Sequence, residues 1–367
     1  MNIIIKKSKD FLSMIFTHIK NLLRDELADV LPEIKDKINK KLTEYEPNKI
    51  YSFGNKNSDK TFYIINRKMP GGGLFSNVTF VLNELKICVN KNFIPVIDMQ
   101  NFPVIYNDLK PMHGSDNSWE YYFEQPTTYN LEDAYNSNKV IFSDNEFKID
   151  KAQLKKYVLE LDSPDLLDIK HYLKPKKIFT DEAHNFFNKT FKSTDKVLGV
   201  HFRGTNYKTC PRHAFCLTPR LMIENINYLV KKFGYNKIFL CTEETVFLKK
   251  LKKYYGEKIS FVDTYRVNIN IFSSHVPAFN NYPRENHRYL LGRESLMESL
   301  ILSKCQGLTY VKTNVISAAK VFSKIKQNDH PVNIGFNSNN RFISRWLWYF
   351  KNLLPVNLGG FKKITYE

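Results

Sequence analysis

Short apolar runs alternate with stretches of helical periodicity through the second half of this sequence, and no other feature limits the possible folds as strongly. Runs of strand length lie at 197–202, 237–242, 259–263 and 307–311, and between them apolar residues recur at helical spacing. Strands and helices that alternate in this way form parallel sheets with helices on both faces. The second half of the chain is therefore predicted to form a doubly wound sheet of at least four parallel strands.

The first half contains one clear unit of the same type. A strand pattern at 61–66 leads through a glycine-containing loop into a long helical pattern, and a second strand pattern follows at 93–98. A chain of 367 residues also exceeds the ~250–300 residues at which single cores stop growing. We therefore predict an α/β protein in which two Rossmann-like domains face each other across a cleft. The predicted units are N-terminal amphipathic helices at 1–50, a first domain at 51–192, a second domain at 193–335, and a C-terminal helix and tail at 336–367.

The charge balance indicates an anionic partner. The chain has 55 Lys and Arg against 37 Asp and Glu, which gives a net charge of +18. About half of this excess is attributed to solvated surface lysines, because lysine is abundant throughout the chain. The sequence contains no zinc finger, helix-turn-helix or aromatic-flanked basic strand, so nucleic acid is not a predicted partner. A phosphorylated small molecule and an anionic membrane surface remain as predicted partners.

Cysteine usage and hydropathy indicate the compartment. Five scattered cysteines offer no second close pair for a zinc cluster, and their odd number fits a reducing cytoplasm. The N-terminus lacks a secretion signal, and no run of 18 apolar residues occurs. We expect a cytoplasmic protein, either soluble or peripheral on the inner face of the membrane.

Polar side chains follow the predicted strands of the second sheet at their carboxyl ends. Arg203 follows the first strand, Thr242 and Glu243 end the second, and Asp263 ends the third. Ligands of open α/β sheets bind beyond these strand ends, and an always-charged guanidinium there suits a phosphate-bearing ligand. An ion pair between Arg203 and a core carboxylate is the alternative interpretation.

Two predicted helix N-termini are further candidates for phosphate binding. Thr313 and Asn314 precede one helix, and Gly72 and Gly73 precede the long helix of the first domain. Backbone N–H groups and the helix dipole favour an anion at such positions. For Thr313 and Asn314, N-capping is the alternative role. The glycine loop is neither G-x-G-x-x-G nor a P-loop, and a structural turn explains it equally well.

The chain termini contain apolar residues at helical spacing. Residues 9–43 and 341–354 combine large apolar groups with basic ones, and the second segment includes Trp346 and Trp348. Such segments are typical of helices at a membrane interface, where tryptophan lies at headgroup depth. Packing on the neighbouring domain is the alternative for the first segment, and wrapping back over the first domain is the alternative for the second.

Two motifs give the chain a resemblance to a known group of enzymes. The segment His201-Phe202-Arg203 resembles the His-x-Arg motif of GT-B glycosyltransferases of the fucosyltransferase type, the group of α-1,2-, α-1,6- and protein O-fucosyltransferases. The loop from Gly73 to Asn77 is similar to the glycine loop of these enzymes, with Asn77 at the position of their cleft asparagine. More weakly, residues 312–317, ending at Ser317, resemble the turn that grips the nucleotide phosphates. The resemblance covers roughly residues 60–330 and is closest to bacterial cell-surface polysaccharide proteins.

The resemblance implies a function and assigns roles. It implies inverting transfer of a sugar, fucose favoured, from a GDP-sugar to a saccharide or lipid-linked saccharide acceptor, in polysaccharide biosynthesis. Arg203 would hold the diphosphate, and no metal or other cofactor is expected, because the sequence has no Asp-x-Asp triplet. Asp98, at a strand end, and Glu120, in an aromatic segment, are candidates for the general base. The alternatives are a glycosyltransferase for another nucleotide sugar and a non-catalytic sugar- or nucleotide-binding protein of envelope assembly.

Overall fold

The computed structural model describes residues 45–46, 49–67, 72–143, 163–164, 168–267, 284–362 and 364. Nearly all of the segment 1–50, for which N-terminal amphipathic helices are predicted, lies outside the described residues.

The first sheet has four strands around one central βαβ unit. In chain order the strands are β1 (Ile50–Tyr51), β2 (Phe62–Ile65), β3 (Ile94–Ile97) and β4 (Val140–Phe142), and their order in the sheet is β1-β4-β2-β3. Strand β2 is parallel to both β3 and β4, while the short β1 is antiparallel to β4. Helix α1 (Leu74–Lys91) joins β2 to β3, and the short helix α2 (Leu131–Ala134) precedes β4. The predicted βαβ unit is confirmed.

The second sheet is fully parallel. Its strands are β5 (Val197–His201), β6 (Lys237–Cys241), β7 (Ile259–Ser260), β8 (Gly307–Tyr310) and β9 (Asn328–Pro331), in the order β7-β6-β5-β8-β9. Every residue of the central strand β5 is buried, as expected for a strand covered by helices on both faces. The four predicted strands are confirmed. The edge strand β9 was not predicted, because its largely exposed sequence Asn-Asp-His-Pro has no apolar pattern.

Helices cover this second sheet. They are α3 (Lys177–Thr190), α4 (Pro219–Phe233), α5 (Thr245–Tyr255), α6 (His287–Leu302), α7 (Asn314–Phe322) and α8 (Arg341–Leu353). Helix α4 begins at a capped N-terminus, where the Thr218 hydroxyl accepts the Leu221 N–H at 3.3 Å and Pro219 occupies the first turn.

Helix α6 connects the two sheets. It packs against α3 and α7 and also against α1 of the first sheet. The Tyr122 hydroxyl donates to the Tyr289 carbonyl at 2.9 Å, and Arg288 donates to the Asn107 carbonyl at 3.0 Å. The prediction of two α/β domains facing across a cleft is confirmed, and the limits proposed for the domains stay predictions.

Helix α8 packs on the second domain. The Trp348 indole is buried and donates to the Cys216 carbonyl at 2.7 Å, and its ring lies 6.3 Å from that of Phe361. The predicted alternative for this helix, a cover over the first domain, does not agree with these contacts. Trp348 also lies on the inward face, so of the two predicted interfacial tryptophans only the half-buried Trp346 is on the outer side.

Candidate functional site

A cavity of about 390 Å³ lies between the two domains. The first domain lines it with the start of α1 and with Tyr106, and the second domain lines it with residues that follow β5, β6 and β8 and with one face of α6. Of the predicted site residues, those that line the cavity are Gly73, His201, Arg203, Thr242, Glu243, Thr313 and Asn314.

Arg203 is the main cationic group of this cavity wall. Its guanidinium forms an ion pair with Glu243 and lies over the Tyr207 ring, 4.9 Å from the ring centroid. Burial lowers the pKa of Arg203, but arginine keeps its charge in proteins. The Glu243 side chain is 39% exposed against 18% for Arg203. The partner is therefore a carboxylate of the cavity wall, whereas the alternative interpretation required a carboxylate of the core.

A buried ion pair stabilises the loop that carries Arg203. Glu244 accepts the Thr205 N–H and forms a 2.6 Å ion pair with Lys208, and both charged side chains are buried. A Cβ atom on Gly204 would overlap the Glu244 carboxylate and lie 3.0 Å from the Phe247 ring. Glycine is therefore needed at position 204 so that the carboxylate can reach the backbone that presents Arg203.

Two helix N-termini reach the cavity from opposite sides. Helix α1 begins after Gly73, which has no side chain to cap the helix, and the Leu74 N–H donates instead to the Tyr106 hydroxyl at 2.7 Å. Helix α7 begins after Thr313, whose side chain also makes no capping hydrogen bond. Both helix dipoles place partial positive charge at the cavity. Thr313 is the N-cap residue of α7 by position, but its side chain makes no capping hydrogen bond.

The Thr313 hydroxyl faces His201 instead of its own helix. Its oxygen lies 3.4 Å from Nδ1 of His201, which is buried at the end of β5. Burial, followed by the charge of Arg203, lowers the pKa of His201 to about 3. The imidazole is therefore neutral at physiological pH and does not compete with Arg203 as a cation.

Glu298 lines the cavity but was not among the predicted site residues. Burial raises its pKa to about 8, although Arg266 and Arg203 act in the opposite direction. None of the described residues donates a hydrogen bond to its carboxylate. By contrast, the neighbouring Glu294 accepts from Arg284 at 2.6 Å and from the Tyr265 N–H at 3.2 Å.

A sequence signal for Glu298 does exist. Glu294, Ser295 and Glu298 recur at helical spacing and line the cavity, while most of the remaining α6 residues are buried. A polar stripe on an otherwise buried helix must face solvent or a cavity.

The two predicted general bases lie outside the cavity. Asp98 is fully buried, and its oxygens accept from the backbone of Gln100 and Asn101, from the Asn101 amide and from the Tyr135 hydroxyl at 2.8 to 3.1 Å. Glu120 accepts from Ser115 at 2.6 Å and from the Gln125 amide at 2.7 Å. Both carboxylates stabilise loops of the first domain, and neither lines the cavity.

Four other predicted residues also lie away from the cavity lining. Asn77 is buried in α1, where its carbonyl oxygen accepts from Arg67, and Gly72 faces the same guanidinium. Ser317 is buried within α7, and Asp263 is exposed, although Thr264 and Tyr265 after it line the cavity. Within the part of the chain that the structure describes, no group of three His, Cys, Asp or Glu side chains is arranged to hold a metal ion.

The fold and the cavity together define a two-domain α/β protein with a partly buried arginine and two helix N-termini in its cleft. No family model matches the chain, and no curated protein matches it.

Solved structures with a similar fold include the α-1,6-fucosyltransferase NodZ soaked with GDP-fucose, at 13% identity and a TM-score of 0.44, over 72% of this chain and 93% of that one. The selenomethionine form of NodZ from Bradyrhizobium matches at 14% identity and a TM-score of 0.46, over 72% and 93% of the two chains. POFUT1 in complex with GDP-fucose matches at 11% identity and a TM-score of 0.40, over 75% and 99%. These values describe a likeness of fold and leave the activity to be argued from the cavity.

Proposed function

We propose that the chain is a glycosyltransferase that moves a sugar, fucose favoured, from a GDP-sugar to a saccharide or lipid-linked saccharide acceptor in the synthesis of a cell-surface glycan. One observation carries the proposal: Arg203 and the N-termini of α1 and α7 all reach the same cavity between the two domains. A diphosphate is the ligand group that such an arrangement suits, because it presents several anionic oxygens at once.

The geometry fits the charge that develops during sugar transfer. The bond from the anomeric carbon to the diphosphate oxygen breaks, and its electron pair goes to the leaving diphosphate. The acceptor hydroxyl oxygen bonds to the carbon from the opposite face and releases its proton to solvent water. Inversion at the anomeric carbon follows from this direct displacement. Negative charge grows on the diphosphate in the transition state, so a fixed guanidinium and two helix N-termini stabilise the transition state more than the bound substrate.

Before the nucleotide sugar binds, Glu243 is the ion-pair partner of Arg203. One Glu243 oxygen forms this ion pair, and the second oxygen accepts from the Thr205 hydroxyl at 2.8 Å. The diphosphate competes with this carboxylate for the guanidinium. Because the Glu243 side chain is partly exposed to the cavity, it can turn away without leaving its charge buried.

Glu298 is proposed to bind the donor base. It belongs to a helix of the second domain, the side that carries Arg203, and it faces the cavity with a carboxylate that no described residue engages. Guanine offers two adjacent donors, N1–H and the 2-amino group, and a carboxylate can accept both. This proposal predicts a preference for GDP over uridine or cytidine nucleotides.

The raised pKa of Glu298 gives a pH signature. Burial raises this pKa to about 8, so the carboxyl is largely protonated at neutral pH before the ligand binds. Guanine binds the ionised form, so GDP affinity increases as the pH rises toward 8.

The decisive experiment compares Arg203→Ala with wild type. Thermal-shift measurements with GDP-, UDP- and CMP-sugars identify the donor, and a transfer assay with the stabilising donor follows. We expect Arg203→Ala to lower transfer by about 10²–10³-fold, the usual loss for one transition-state donor, while the fold is kept. Arg220→Ala is the matched control, since Arg220 is a surface residue of α4 paired with Glu224.

The outcomes separate the candidate functions. Unchanged transfer by Arg203→Ala would refute the role assigned to the arginine. A shift only with UDP- or CMP-sugars would point to another nucleotide sugar, and a GDP-sugar shift without transfer or hydrolysis would favour a non-catalytic binding protein. For Glu298, comparison of GDP with inosine diphosphate, which lacks the 2-amino group, is informative: Glu298→Gln should reduce the preference for GDP.

The site of action is part of this proposal. The scattered free cysteines and the phosphorylated substrate favour the cytoplasm, on the inner face of a membrane. Among the described helices, none is long and apolar enough to cross a membrane.

A further inference from the structure

Helix α8 exposes a face made only of apolar residues. At 100° per residue, six side chains fall within an arc of about 120° that contains no charged residue. They are Phe342, Ile343, Trp346, Phe350, Leu353 and Leu354. We call this set the α8 face.

The exposure of the α8 face follows from the way the helix packs. Ser344 and Trp348, on the opposite side, are buried against the second domain. On the outer side, Phe342 is 71% exposed, Ile343 49% and Phe350 44%. The helix therefore packs on the second domain through Ser344 and Trp348 and also turns large apolar groups outward, where a surface helix ordinarily carries polar residues.

The exposed apolar surface continues along the chain beyond α8. Val356 and Leu358, in the segment that follows the helix, are also exposed, and so is Phe336 before it. Soluble monomers rarely expose so many large apolar groups in one segment, and such surfaces mark interaction sites.

The charges around the α8 face have one sign. Arg341, Arg345 and Lys351 belong to the helix, Lys362 follows it, and residues 336–362 contain no Asp or Glu. The whole chain has a net charge of +18. An apolar aromatic face with basic flanks matches the chemistry of an anionic bilayer, in which acyl chains lie beneath acidic headgroups.

We propose that the α8 face inserts into the interface of an anionic lipid bilayer, with the helix axis parallel to the membrane plane. A second copy of this chain is a poorer occupant, because two α8 faces in contact would bring their basic flanks together without acidic partners. The proposal does not depend on the proposed activity. If both the membrane binding and the glycosyl transfer are correct, the interdomain cavity lies close to the membrane in which a lipid-linked acceptor is embedded.

The test uses the full chain and vesicles of defined composition. Co-flotation is measured with phosphatidylcholine vesicles and with phosphatidylcholine vesicles that contain about one third phosphatidylglycerol. We expect binding to the anionic vesicles, at least tenfold stronger than to the neutral ones, and weakened by salt. Tryptophan emission should shift to the blue on binding, and Trp346→Phe should remove most of this shift, because Trp119 and Trp348 are already buried.

Matched variants assign the contact to α8. Phe342→Ser combined with Ile343→Ser should reduce vesicle binding at least tenfold without changing the melting temperature or the donor-induced thermal shift. Leu109→Ser, which changes an exposed apolar residue of the first domain, should leave binding unchanged. Arg341→Gln combined with Arg345→Gln should weaken binding to anionic vesicles and flatten its salt dependence.

Three results would overturn the proposal. They are absence of binding to anionic vesicles, equal binding by the Phe342/Ile343 double variant, and a wild-type dimer in light scattering that this variant converts to a monomer without any effect on vesicles. The last result would make a second copy of the chain the occupant of the α8 face.

Discussion

The pH dependence of stability should be set in part by His201. The residue is buried at the end of β5, and burial together with the Arg203 charge lowers its pKa to about 3 from the ordinary 6.5. In the unfolded chain the same imidazole takes up a proton as the pH falls below 6.5, whereas in the folded chain it does not until about pH 3. The unfolded state therefore binds more protons in this window, and stability falls as the pH falls.

The size of the effect follows from the shift. Between pH 7.5 and pH 4.5 the unfolded imidazole gains nearly a full proton over about two pH units, which corresponds to about 3 kcal/mol of lost stability. For a chain of this length, that is about 4 °C in melting temperature. His201→Asn keeps a hydrogen-bonding group near the position of Nδ1, beside Thr313, but removes the titration.

The assay is thermal or urea denaturation of wild type and His201→Asn from pH 7.5 to 4.5. We expect the variant to lose less stability than wild type across this range, with a difference that approaches about 3 kcal/mol at pH 4.5. Burial also lowers the pKa of His113, His213 and His330, but these groups titrate in both proteins and cancel in the difference. The same substitution at His184, an exposed residue of α3, is the control. Parallel stability curves for wild type and His201→Asn would refute the reasoning.

Two further substitutions test the packing that surrounds the site. Lys208→Met leaves the Glu244 carboxylate buried without its ion-pair partner, and should cost about 3–5 kcal/mol in urea denaturation. Addition of Glu244→Gln should recover part of this loss, whereas additive losses would contradict a direct pair. Gly292→Ala places a Cβ atom in overlap with the hydroxyl of the fully buried Tyr122, and should cost about 1–3 kcal/mol. An unchanged melting temperature for this variant would mean that α6 does not pack on the first domain as described.

The strands of the second sheet could be predicted because burial on both faces demands continuous apolar runs. Strands β5, β6 and β8 carry such runs, and each was recognised from the sequence. Strand β9 pairs with β8 at an exposed edge, where no burial constrains its side chains. Strand β9 forms because its backbone pairs with that of β8, and this pairing leaves no pattern in the local sequence.

The site could be predicted where strand ends define it. Arg203, Thr242 and Thr313, which line the cavity, follow from the rule that ligands gather at the carboxyl edge of a parallel sheet, whereas His201 was a candidate only through the resemblance of its motif. Asp98 obeys the same rule, yet loop side chains close over it with hydrogen bonds. Glu298 comes from the side of a helix, and its place depends on how the two domains meet. Local sequence therefore locates the sheet edge, but which groups remain open there depends on tertiary packing.

Helix α6 contacts both domains and so fixes the width of the cleft between them. It precedes β8 in the second domain, carries Glu294 and Glu298 on its cavity side, and is tied to the first domain through Tyr122 and Tyr289. A wide hinge-like opening would have to break this contact between the first domain and the helix that supplies part of the cavity wall. We therefore expect the distance between the two domains to change little when a ligand binds. The entropy cost of binding then comes from ordering the ligand and the side chains that contact it.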